Sequence, residues 1–174
     1  PQLYEDIGTL DAVRTIFEAV LEEYNLGNKP MSLVLFESAI EHLVRTYRIL
    51  RLPRGNAMLV GYGGSGKQSL TKLATFAAGY KLFEITLARG YGETEFREDL
   101  KELYGLLAKG PTSFLFTDAH VVDEGFLELI NNMLTTGIVP GLYEPEEKDG
   151  VCNSVRDEVA ALGIPETTEN CWSY

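Results

Sequence analysis

The stretch Gly61-Tyr62-Gly63-Gly64-Ser65-Gly66-Lys67-Gln68-Ser69 gathers the residue types that can hold a chain of phosphates. Gly61, Gly63, Gly64 and Gly66 let the backbone turn tightly and aim successive N–H groups at phosphate oxygens, around Ser65. A helix opening at the end of the loop adds about half a positive charge at its N-terminus. Lys67 reaches the β- and γ-phosphates in such a loop. The plain alternative, a glycine-rich turn with an incidental lysine, requires the glycines, the lysine and the strand–loop–helix setting to coincide. One position departs from the usual pattern. The residue after the lysine is normally Ser or Thr, whose hydroxyl ligates Mg²⁺, but here it is Gln68, and the hydroxyl follows at Ser69. One residue on a helix is a rotation of about 100°, so Ser69 does not simply take over as ligand. Gln68 offers the ion its amide oxygen, directly or through water.

A second constellation lies at Phe114-Leu115-Phe116-Thr117-Asp118. An apolar strand ending in Asp is where a phosphate-transferring site of this type holds its Mg²⁺ shell, and Asp118 is the candidate carboxylate. A Glu normally follows and activates the attacking water; here the next residue is Ala119, which accepts no proton. The nearest other acids, Asp123 and Glu124, fall where a helix begins, and N-capping is their ordinary role. His120 offers a group that can orient water, although a solitary surface histidine is usually only solvated. The pattern therefore points to nucleotide binding, with ATP or ADP and Mg²⁺, and against efficient hydrolysis.

These residues need elements to position them. Val13, Ile16, Phe17, Val20 and Tyr24 have helical spacing over Asp11–Tyr24, and the Asn25–Pro30 stretch breaks that helix. Phe36, Ile40, Leu43, Tyr47 and Leu50 predict a second helix from Leu35 to Leu50, closed by Pro53 and Gly55. Asn56–Gly61 reads as a short buried strand leading into the loop, and Gly66–Ala78 as the helix leaving it. Lys81–Leu87 alternates like a second strand, Glu93–Lys109 is helical, and Ser113–Thr117 is a third buried strand ahead of Asp118. A helix over Asp123–Thr136 follows. Tyr143–Asp149 is acidic and polar and reads as a loop, Val151–Leu162 as one more helix, and Ile164–Glu169 as a turn. Alternating strands and helices predict an α/β fold with a largely parallel sheet and helices on its faces. No internal repeat is visible.

The bulk numbers narrow the partners. The chain has 174 residues, enough for one domain or most of one, with 45% apolar residues and a formal charge of −11. That negative field disfavours nucleic acid and acidic lipid, which call for a basic face. It leaves a nucleotide possible, because a phosphate site is built from local amides and one or two cations. No apolar run reaches the ~20 residues of a membrane span, so no membrane partner is expected. Cys152 and Cys171 do not form a metal-like pair with His42 or His120, and two reduced thiols are expected. The opening Pro1–Asp6 is unlike a signal peptide and looks internal to a longer chain.

Beyond the loop, longer strings carry a resemblance. Met31-Ser32-Leu33-Val34-Leu35-Phe36, Arg48–Asn56 and Gly63–Leu70 resemble dynein heavy chains, most of all the fourth of the six AAA+ modules of axonemal dyneins. Ile130–Leu134, Val139–Tyr143 and Glu169–Trp172 are similar to that module too. The resemblance covers most of the chain from Met31. In that family Gln after the lysine is expected, as is a residue other than Glu after the Asp. Leu33 and Val34, with Leu52 and Pro53, match segments that flank the adenine, although as apolar residues they serve equally well in a core.

The resemblance implies a P-loop NTPase of the AAA+ type, a three-layer α/β/α sandwich on a parallel sheet whose strands run fifth, first, fourth, third, second. Residues 31–174 would be part of the large subdomain, and 1–30 a helix and linker from the preceding module. The fourth and fifth strands and the helical lid are expected past Tyr174. A chain cut there would leave open sheet edges, with instability, rearrangement or pairing with another copy as the expected consequences. The implied setting is a ring motor that moves on microtubules in the axoneme of a cilium or flagellum, within the cytoskeleton of the cytoplasm. Its partners would be the neighbouring AAA+ modules of the same heavy chain, with microtubule contact made only by the parent chain. The fourth module is regarded there as regulatory. Two other readings stand beside a regulatory site: a working ATPase in which another acid replaces the missing Glu, and a scaffold module with a vestigial site. A P-loop kinase or small GTPase is disfavoured by the long helix before the loop and by the lack of an Asn-Lys-x-Asp guanine-reading motif.

Overall fold

The computed structural model describes residues 7–173; the Pro1–Asp6 opening and Tyr174 lie outside them. The chain divides into two compact units. The first runs through Glu84 and takes in Pro111–Leu115; the second comprises Ile85–Gly110 and Phe116 onward.

The first unit is built on three helices and a small sheet. α1 (Leu10–Gly27) begins where the Thr9 hydroxyl accepts the Ala12 N–H at 3.3 Å, an N-cap that satisfies a donor the helix start would otherwise leave open. α2 (Glu37–Leu50) buries Ala39, Ile40, Leu43 and Thr46 along one face, and α3 (Lys67–Ala77) buries Leu70, Leu73, Ala74 and Thr75. These stripes and Phe17 of α1 form one core, in which Ile40, Leu43, Leu73 and Ala74 are fully buried. β1 (Lys81–Glu84) and β2 (Thr112–Leu115) pair in parallel, with Lys81 opposite Thr112 and Phe83 opposite Phe114. The Phe83 and Phe114 rings meet at 5.7 Å. A 2.9 Å ion pair from Lys72 of α3 to Glu84 ties helix to strand.

The second unit contains α4 (Glu93–Leu107), a 3₁₀ turn at Asp118–His120, α5 (Gly125–Thr136), α6 (Pro145–Ala161) and α7 (Thr168–Ser173). Its centre is aromatic: Phe96 and Phe126 are fully buried and stack at 4.3 Å with an interplanar angle of 11°. Gly137 closes α5 in the left-handed conformation at φ 77°, which favours a residue without Cβ. The Tyr104 hydroxyl of α4 donates to its carbonyl at 2.9 Å.

The helices agree with the periodicity, and the parallel pairing agrees with the predicted α/β alternation. Three expectations are corrected. Asn56–Gly61 is not a strand, and Met58 and Val60 are 91% and 83% exposed rather than buried. A strand exists only through its ladder, and among the described residues none runs along either edge of this segment. The sheet among the described residues therefore has two strands rather than three. The acidic Tyr143–Asp149 stretch is not a loop throughout, because α6 starts at Pro145. Proline suits the first helical position and acids suit the first turn, and Glu147 accepts the Glu144 N–H at 2.8 Å. The turn expected over Ile164–Glu169 gives way to α7 at Thr168.

Candidate nucleotide site

The loop in the first unit is shaped by two left-handed glycines, Gly64 at φ 77° and Gly66 at φ 78°. Gly66 is also the N-cap of α3, and no side chain caps that helix. The first bond into the helix is Leu70 N–H to the Gly66 carbonyl at 2.8 Å, so the amides ahead of it project from the helix start. An uncapped helix start after a glycine loop is an anion site by construction. Lys67 lies across the loop: its ammonium donates to the carbonyls of Gly61 and Tyr62, both at 2.7 Å, and to Ser65 Oγ at 3.2 Å. These three acceptors are neutral, so a phosphate oxygen competes for the lysine without first breaking an ion pair. A Cβ on Gly61 would stand 3.4 Å from Ser65 Oγ and 3.7 Å from the Lys67 ammonium. Those are ordinary contacts, so the loop passes close to the lysine at Gly61 without requiring glycine there.

The flanking segment is held from two sides. The Asn25 side chain clasps Met31, donating to its carbonyl at 3.2 Å and accepting its N–H at 2.9 Å. Arg14 donates from Nε to the Leu35 carbonyl at 3.1 Å. Leu33 and Val34 lie between those anchors. A Cβ placed on Gly66 would touch Leu33 Cδ1 at 3.6 Å, so Leu33 sits beside the loop's last glycine. Leu33 is half-buried, whereas Val34 is 74% exposed and Pro53 is exposed. Pro53 belongs to a tight turn in which the Gly55 N–H donates to the Leu52 carbonyl at 3.0 Å. A Cβ on Gly55 would fall 1.8 Å from the Ile49 carbonyl oxygen, so only glycine fits there.

Gln68 is exposed and Ser69 half-buried in the first turn of α3. Among the described residues no group of three or more His, Cys, Asp or Glu is placed to hold a metal. The exposed amide of Gln68 is a hard oxygen donor, the type that Mg²⁺ takes beside phosphate oxygens and water.

Asp118 belongs to the second unit. It is exposed and opens the 3₁₀ turn, two residues beyond Phe116 and past the end of the β2 strand at Leu115. Ala119, next to it, is exposed. His120 is occupied locally: its Nδ1 accepts the Thr117 N–H at 3.1 Å, and its ring lies 5.7 Å from that of Phe116. Asp123 accepts the Gly125 N–H at 2.7 Å, the helix-starting role expected of it. Glu124 occupies the N-cap position of α5 without a side-chain cap bond.

With this geometry in hand, the chain can be set beside known proteins. Residues 31–174 match the family described as P-loop containing dynein motor region D4. The chain belongs to this family. It is 59% identical over 177 residues to the Dynein-1-alpha heavy chain, flagellar inner arm I1 complex, of Chlamydomonas reinhardtii, covering 100% of this chain and 4% of that protein. It is 54% identical over 177 residues to Dynein axonemal heavy chain 10 of Homo sapiens, again over 100% of this chain and 4% of the relative. Identity to the Dynein beta chain, flagellar outer arm, of Chlamydomonas reinhardtii is 48% over 174 residues, or 99% of this chain and 4% of that one. The chain thus spans about 4% of the length of these relatives.

A dynein P-loop motor region implies nucleotide binding in general, and the uncapped start of α3 with Lys67 is the candidate place for it. Sequence reasoning missed the residues that hold the flanking segment of this dynein motor region. The sequence shows Asn25 only as part of a helix-breaking stretch, and Arg14 is not singled out in it. A signal was present for the first, since an Asn just before a chain reversal commonly bonds nearby backbone. Nothing in the sequence marks Arg14.

Proposed function

We propose that this chain is the nucleotide-binding part of a regulatory AAA+ module in an axonemal dynein heavy chain, a microtubule-based motor of cilia and flagella. Residues 31–174 form part of the module's large subdomain, an incomplete three-layer α/β/α arrangement, and residues 1–30 supply a helix and linker from the module before. ATP or ADP sits with its phosphates at Gly61–Gly66, on the amides that open α3. Lys67 moves from the Gly61 and Tyr62 carbonyls to a phosphate oxygen. Mg²⁺ is held by the phosphates with Gln68 beside it, and Ser69 stands one helical step aside. Leu33, Val34 and Pro53 flank the base. The bound nucleotide fixes packing against neighbouring modules of the same heavy chain, and microtubule contact belongs to the parent chain alone.

The single observation carrying this reading is the uncapped, glycine-led start of α3 with an ammonium held, among the described residues, by neutral acceptors. The neighbourhood of Asp118 supports slow or absent hydrolysis. Ala119 holds no base, and the nearest further acid that binds backbone, Asp123, is engaged at the start of α5. Titration calorimetry with Mg–ATP and Mg–ADP tests the binding reading, using a piece of the heavy chain that contains all of residues 1–174. Heat of binding that disappears in Lys67→Ala is the expected result. Equal binding by both proteins, or none by either, would leave a scaffold with a vestigial site.

A further inference from the structure

α6 and α7 pack through a cluster of their own, made of Cys152, Val155, Val159 and Cys171. Cys152, Val155 and Val159 recur at helical spacing on one face of α6 and are buried, as is Cys171 of α7. The Cys152 thiol donates to the Thr168 carbonyl at 3.6 Å. Thr168 lies three residues before Cys171, on the same face of α7, so both cysteines belong to the contact between the helices. Both are free thiols. They differ in surroundings. Cys171 forms part of the wall of a cavity of about 500 Å³, lined also by Tyr104, Leu107, Ile138, Leu142 and Tyr143. Cys152 does not line it. Burial, then the neighbouring Cys171 sulfur and Asp149, push the Cys152 thiol up, against a smaller opposing effect of Arg156.

We propose that Cys152 and Cys171 are an oxidisable dithiol, in which a low-molecular-weight disulfide reached through the cavity is reduced while the two cysteines join as a disulfide between α6 and α7. The Cys171 thiol gives up its proton and its sulfur attacks one sulfur of the small disulfide. That S–S bond breaks, and the departing thiol carries away the electron pair and a proton. The Cys152 thiol then gives up its proton, and its sulfur attacks the Cys171 sulfur of the mixed disulfide, releasing the second small thiol. The protein's two thiols lose two electrons and two protons, and the small disulfide gains them. Cys171 acts first because it borders the cavity. Cys152 is a poor first nucleophile in its buried site, and it resolves the mixed disulfide because that sulfur is held beside it. The bond would fasten α7 to α6 and fix one wall of the cavity.

Peptide mapping tests this on the heavy chain that contains the segment. The protein is freed of reductant, incubated with oxidised glutathione, alkylated and digested with trypsin without reduction. Cleavage after Lys148 and Arg156 places the cysteines in separate peptides, one spanning Asp149–Arg156 and one beginning at Asp157. The expected product is those two peptides joined, two hydrogens lighter than their sum. Cys152→Ser should retain glutathione on Cys171, and Cys171→Ser should leave Cys152 to the alkylating reagent. Separate, fully alkylated cysteines in the wild type would overturn the proposal. So would glutathione persisting on wild-type Cys171, glutathione on Cys152 in Cys171→Ser, or a link that forms only in urea.

Discussion

The glycine loop and the Asp118 turn are two acidic-protein solutions to handling charge, and they are built to different standards. Around the loop, every part has support: α3 rests on a closed core, two glycines take left-handed backbone, and Lys67 is held by three neutral acceptors. Around Asp118 the carboxylate is exposed on a one-turn 3₁₀ segment, Ala119 has nothing to offer a water, and His120 is spent on closing the turn. A site that must bind needs positioned donors, and a site that must cleave needs a positioned base as well. In the proposed reading the loop's amides and Lys67 meet the first requirement, and Ala119 leaves the second unmet at that position.

The comparison can be broken most directly at the core beneath the loop. Leu73→Ala should cost about 3 kcal/mol of unfolding free energy, because Leu73 is fully buried on the core face of α3. Nucleotide affinity should fall with it. Unchanged affinity in a destabilised variant, measured by chemical denaturation and titration together, would show that the loop does not depend on the core. Ala119→Glu sharpens the other side. Ala119 is exposed, so stability should change by less than about 0.5 kcal/mol. If the missing base is what limits turnover, steady-state phosphate release should rise by about a hundredfold. No rise would place the defect elsewhere, at Gln68 or in the setting of Asp118.

A smaller effect is expected at Asn25. Asn25→Ala removes both bonds to Met31 and should cost about 1–2 kcal/mol. Because those bonds hold the segment carrying Leu33 and Val34, adenine nucleotides should weaken more than inorganic triphosphate does. Equal weakening of the two would remove this segment from the base site. The smallest effect lies at the start of α6. Glu147 is bonded to Lys101 at 2.8 Å, and this bond, with the Glu144 N–H, holds its carboxyl below the ordinary value of 4.5. A depressed carboxyl contributes stability above its unfolded value and loses it as pH falls through the folded one. Exchange of the Glu144 amide should therefore quicken, relative to its intrinsic rate, as pH drops below about 4.5. In Glu147→Gln that acid-dependent component should vanish.

What could be read in the sequence follows a physical divide. Amphipathic helices announce themselves because each one's pattern is local: Ile40, Leu43 and Tyr47 predict α2 whatever surrounds it. The phosphate loop is equally local, since glycines, lysine and helix start are consecutive. The run Ala57-Met58-Leu59-Val60 failed because a strand is a property of a pair, and apolar composition names no partner. The start of α6 failed for a different reason. Acidic composition suggests a loop, yet Pro145 followed by Glu146 and Glu147 is a sound helix start. Asn25 and Arg14 escaped because their work is done on backbone atoms some distance along the chain.

The central claim is that this site holds nucleotide without efficiently cleaving it. The direct test is to load a piece of the heavy chain containing all of residues 1–174 with labelled Mg–ATP, remove free nucleotide, and identify what stays bound as time passes. The account predicts that ATP is retained as ATP, with phosphate release no faster than in Lys67→Ala incubated with the same nucleotide. Steady conversion to ADP with phosphate released at the pace of a working ATPase would contradict it, and so would a module that retains no nucleotide at all.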